Sequence, residues 1–140
     1  MSEPAADGAR RAEALLRLLT DGDEEGAGGL LAELDEVRDL VFTGAGLTAV
    51  ARAEARSLPP AQRAQANTRQ LRLGILRDAQ RDNPAGLRTW LRQAGEEILL
   101  IRAQQKVADA VTAVDQDWTA ARVAAQATGS ETASNAAAST

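Results

Sequence analysis

The sequence predicts an all-α protein, an elongated helical bundle of four to five helices with a long C-terminal helix. Three observations carry that expectation. The apolar fraction is 44% but aromatics make up only 2%, namely Phe42, Trp90 and Trp118, and much of the rest is alanine. β-Branched residues are scarce, and no stretch alternates apolar and polar for a strand's length. Apolar residues recur instead at helical spacing between glycine and proline breaks. Alanine is the best helix former but buries little area. A chain of this kind gains stability from long helices packed closely, often against other subunits.

Residues 1–82 read as a region of short helices. The first is expected from about Ala9 to Thr20, with Asp7 as N-cap and Leu15, Leu16, Leu18 and Leu19 as its apolar face. Asp21 to Gly29 reads as a turn. A second helix is expected from about Leu30 to Phe42, since Leu30, Leu34, Val37 and Val41 share a face. Gly44 is expected to end it in the left-handed conformation. A short alanine-rich helix, about Ala49 to Arg56 with Thr48 as cap, stops before Pro59-Pro60. The fourth runs from about Ala61 to Arg81 and carries two apolar flanks, Leu71/Ile75/Ala64 and Leu73/Leu76/Ala66. Two flanks predict a helix sandwiched between neighbours or one that keeps a face for a partner.

Residues 83–128 read as one long helix, with Asn83 as N-cap and Pro84 at the first position. It either bends near Gly95 or makes the molecule elongated. Two heptad-spaced registers occupy it. Leu87, Leu91, Ala94, Ile98 and Ile101 form the first. Leu100, Gln104, Val107, Val111, Val114, Trp118, Ala121 and Ala125 form the second. The slip between them predicts a change of packing partner, or a core helix of a compact bundle. Leu100, Val107, Val111, Val114 and Trp118 are the candidate interface. Gly129 is the expected stop, and 129–140 a polar, low-complexity tail without fixed structure in isolation.

Charge is blocked along the chain. The total is −4, but residues 52–92 hold 9 arginines against 3 acids, whereas residues 1–51 hold 4 arginines against 11 acids. Arg63, Arg69, Arg72, Arg77, Arg81, Arg88 and Arg92 are therefore candidates for binding nucleic acid or an acidic partner. The competing expectation is that the acidic N-terminal helices neutralise them. The lack of aromatics among these arginines up to Trp90 argues against single-strand binding.

Leu40-Val41-Phe42-Thr43-Gly44-Ala45-Gly46-Leu47-Thr48-Ala49 resembles the glycine-rich nucleotide loop of Rossmann-like proteins, and of the sirtuin deacylases in particular. The resemblance covers about ten residues. It implies a parallel sheet, a catalytic histidine and zinc cysteines. This chain has no cysteine or histidine, and a glycine stop between helices accounts for the segment. Asp21, Asp23, Glu25 and Gly26 match the opening of a calcium loop, but its twelfth position is Ala32, so a solvated acidic turn is expected. Adjacent Glu96 and Glu97 point about 100° apart and do not converge on one bond. Serines and threonines have no histidine to activate them.

These features predict a non-enzymatic structural or assembly protein without cofactor, metal or small-molecule substrate. It self-associates or docks into a larger complex, such as a phage or virus-like particle, a scaffold or an adaptor. The alternative is a small nucleic-acid-binding adaptor or regulator. No signal peptide or membrane span is read, so the expected location is the cytoplasm or a particle assembled there.

Overall fold

A computed structural model describes the backbone of residues 2–138 and the side chains of residues 2–128. The elements are α1 (Glu3–Thr20), α2 (Glu24–Ala32), α3 (Val37–Ala55), α4 (Pro60–Ala79) and α5 (Pro84–Ala138), with no strand among the described residues. The chain divides into two units, Met1–Gln105 and Lys106–Thr140. The expected tail, 129–140, falls outside the described side chains, and the α5 backbone continues through Gly129 to Ala138. Glycine inside a helix costs about 1 kcal/mol, which is a tendency to stop and not an obligation.

α1 begins earlier than its apolar periodicity implies, because Ser2 and not Asp7 is the cap. The Ser2 hydroxyl accepts from the Ala5 amide at 3.4 Å, with Pro4 in the first turn. Asp7 sits inside the helix and pairs with Arg10. At the other end Gly22 takes φ +71°, the sole positive φ among the described residues. Around it the Asp23 amide donates to Leu18 O at 2.9 Å and the Gly22 amide to Leu19 O at 3.1 Å. These are the two bonds of a Schellman stop, which needs a residue without a Cβ at its left-handed position.

The turn that follows is shorter than expected. Asp23 caps α2 by accepting from the Gly26 amide at 2.8 Å, and Glu24 and Glu25 stand in the first turn where the helix dipole favours them. Burial of Ala27 and Leu31 then holds a glycine-rich sequence helical.

The expected helix 30–42 is instead two helices, separated at residues 33–36. Arg88 of α5 reaches the freed carbonyls at this break: its Nε donates to Leu31 O at 3.1 Å and to Leu34 O at 3.2 Å. Its Nη2 donates to Asp35 Oδ1 at 3.2 Å. A guanidinium thus satisfies backbone acceptors left open at the end of α2 and in the break that follows it.

The expected stop at Gly44 and the separate helix 49–56 are also corrected. α3 runs unbroken through Gly44, Gly46 and Thr48. Its glycines make room for neighbours. A Cβ on Gly44 would fall inside the ring of buried Trp90, 2.8 Å from Cζ2 and nearer still to Cη2 and Cζ3. A Cβ on Gly46 would lie 3.0 Å from Ala12 Cβ and 3.2 Å from Ala9 Cα, so α1 and α3 cross at close range. No strand, turn and helix sequence exists here, so the nucleotide-loop resemblance has no phosphate cradle behind it.

α4 and α5 begin at Pro60 and Pro84, as the first-position preference of proline predicts. In the first unit one core joins Ala12, Leu15, Leu16 and Leu19 of α1, Leu31 of α2, Leu40 and Leu47 of α3, and Leu87, Trp90, Leu91, Ile98 and Ile101 of α5. Leu73 and Leu76 of α4 pack against that core from the side. The first heptad register of α5 is therefore core, as expected.

Candidate protein–protein interface

The second unit begins at Lys106 of α5. There the second register meets solvent. Val107 is 63% exposed, Val111 55%, Val114 53% and Trp118 66%. Spacings of four, three and four place them in one stripe along the helix. The two tryptophans occupy opposite environments: Trp90 is 3% exposed in the core, and Trp118 stands open. The flanks of this stripe are mostly small. Ala108, Ala110 and Ala124 border it, with Asp115, Asp117 and Arg122 the charged exceptions. Val123, also exposed, lies off the stripe on the far face.

Leu100, assigned to the same stripe from sequence, belongs to the first unit and is 42% exposed. It borders a shallow hollow with Arg69, Arg72, Leu73, Glu96 and Glu97.

The seven arginines split by environment. Arg69 Nε donates to both oxygens of Glu97, at 2.8 and 2.7 Å, and its Nη2 donates to Gln104 Oε1 at 3.3 Å. Glu97 is buried, so this pair holds α4 to α5. Arg88 caps the end of α2, as described. Arg92 pairs with Glu96 at 3.0 Å and with Glu24 of the acidic N-terminal segment. Hydrogen bonding to Glu24, and then to Glu96, raises its pKa. Arg77 and Arg81 face their neighbours Asp78 and Asp82, at 3.2 and 3.8 Å. Arg63 and Arg72 are exposed. Outside the seven, Arg102 of α5 donates to Glu54 of α3 at 2.8 and 3.0 Å, which raises its pKa.

One surface was only half legible. Of the two α4 flanks, Leu73/Leu76/Ala66 turns to the core, whereas Leu71 and Ile75 are 71% and 70% exposed. The doubled flank was the signal for this, since a helix touching one layer needs a single stripe.

Compared with known proteins, the chain matches no family model, no curated protein and no solved structure. Among the described residues no helix is long and apolar enough to cross a membrane, and no group of three His, Cys, Asp or Glu is placed to hold a metal ion.

Proposed function

We propose that this chain is a non-enzymatic assembly protein that associates with copies of itself through the α5 stripe of its second unit. The observation that supports this reading is the row Val107, Val111, Val114 and Trp118, each more than half exposed at heptad spacing. Large apolar side chains scattered singly on a surface need no explanation, but four in one seam do. Fully covering one such side chain gains about 1.5–3 kcal/mol. Each is already partly covered, so a seam of four from each copy supplies a part of that gain per residue, on the scale of the association cost of about 4–15 kcal/mol that it must offset. Tryptophan is among the residue types that most often dominate such surfaces.

The arginine segment supports the nucleic-acid reading less well. Three of its seven side chains are engaged with other helices, and two more face adjacent carboxylates.

Light scattering after gel filtration, at concentrations from about 1 to 100 µM, where half-association corresponds to about 5–8 kcal/mol, tests the proposal. The parent chain is expected to exceed its 14.7 kDa monomer mass as concentration rises. Trp118→Ala and Val111→Glu are expected to return it to the monomer without loss of helicity in the first unit. A parent chain that stays monomeric throughout overturns the reading.

A further inference from the structure

Resting on that self-association, we infer that the α5 stripes join as a parallel, in-register bundle of three copies. Two features of the second unit carry this. The first is side-chain shape. Assigning Val111 and Trp118 to a positions places Val107 and Val114 at d positions. β-Branched residues at a with leucine at d favour two strands, whereas the β-branched isoleucine at both a and d shifts the preference to three or four, and valine shares that branching. The stripe has valine at both d positions and at one a position, tryptophan at the other a, and no leucine. The four-stranded preference accompanies leucine at a, which leaves three.

The second feature is charge. Of the flanking e and g positions from 106 to 128, only Asp115, Asp117 and Arg122 are charged. In a parallel, in-register bundle each g residue meets the e residue five places on in its neighbour. Asp117 then meets the neighbour's Arg122, and Asp115 meets the neighbour's Ala110. Every interface gains an attractive pair, and no like charges meet. The antiparallel register that covers the whole stripe sets Val107 against the partner's Trp118 and Val111 against the partner's Val114. It leaves Asp115 and Asp117 opposite alanines, with no pair at all. The antiparallel register that joins Asp115 to the partner's Arg122 sets Val111 against Thr128, Val114 against Ala125 and Trp118 against Ala121, so no valine or tryptophan of the seam meets another. Of these arrangements, only the parallel one covers all four apolar residues and also gains an ion pair, Asp117 with the neighbour's Arg122.

The chain has no cysteine, so Gln126→Cys supplies a unique label position off the stripe. Spin labels there are expected within about 25 Å of one another in a parallel bundle, some two helix diameters, and about 40 Å apart along the axis in the seam-covering antiparallel one. Sedimentation equilibrium on the full chain is expected to give three times the monomer mass. Asp117→Arg alone is expected to weaken association roughly tenfold, since several exposed pairs are lost together. Adding Arg122→Asp is expected to restore it. A dimer or tetramer, long label distances, or no recovery in the charge swap overturns the three-stranded parallel arrangement and leaves self-association standing. A monomer at every concentration overturns both, and assigns the seam to an unlike partner.

Discussion

Replacing Gly44 by alanine puts a methyl group into the ring of Trp90. The Trp90 side chain is 3% exposed, so it has no solvent to swing into. In a helix interior with free space, glycine to alanine stabilises by about 1 kcal/mol. At an uncapped helix end in the left-handed conformation, the same change costs about as much. Here neither applies. Three ring atoms lie within 2.8 Å of the added carbon. Forcing one methyl into a packed core costs about 1–3 kcal/mol and occasionally more. With three ring atoms overlapped the clash falls at the upper end of that range, about 2–3 kcal/mol, and outweighs the propensity gain of about 1, so Gly44→Ala is expected to destabilise the first unit by about 1–2 kcal/mol net. For a unit of this size that lowers the thermal midpoint by about 4–15 °C. Circular dichroism at a single protein concentration measures it, since association would otherwise shift the midpoint. Trp90→Phe removes the far edge of the ring. In that background the penalty of Gly44→Ala is expected to shrink by about 0.5–3 kcal/mol, the coupling expected of residues in contact. A Gly44→Ala protein as stable as its parent, or a penalty left unchanged by Trp90→Phe, would refute close packing at this crossing.

Other expectations follow from single contacts. Arg88→Ala should cost about 1.5–3 kcal/mol, because charged hydrogen bonds to Leu31 O, Leu34 O and Asp35 are lost; faster amide exchange confined to residues around 31–37 would show that the α2 end is what loosens. Arg69→Met should cost on the order of 3 kcal/mol by leaving buried Glu97 without its cation. Adding Glu97→Gln should recover part of it in urea denaturation, and no recovery would mean that the Arg69 stem and not the charge matters. Because Arg69, Arg88 and Arg92 are engaged within the chain, fluorescence anisotropy should show no binding to DNA or RNA oligonucleotides near physiological salt, about 0.15 M. Binding there that falls steeply with salt would instead favour Arg63, Arg72, Arg77 and Arg81 as a nucleic-acid face.

Much of the architecture was readable from local pattern. Pro84 marks the start of α5 because a residue without an amide hydrogen fits where helix amides are unpaired anyway, and the same reason starts α4 at Pro60, one residue before the expected Ala61. Leu87, Leu91, Ala94, Ile98 and Ile101 are core because their spacing leaves them one face. The candidate interface was legible for the same reason, except that periodicity ran Leu100 together with valines that lie in another unit.

The order of the residues thus determined that the chain is helical, where its long helix begins and which stripes are apolar, since propensity and period act within a few turns. Tertiary structure decided which glycines break a helix and which admit a neighbour. Gly22 turns the chain and Gly44 seats Trp90, although each costs a helix about the same 1 kcal/mol in isolation. It also decided how Arg69, Arg88 and Arg92 join the fold, because the Glu97, Leu31 and Glu24 groups they reach lie 28 to 68 residues away along the chain. A cost that small, or a charge whose partner lies that far off, takes its meaning from whatever packing brings alongside.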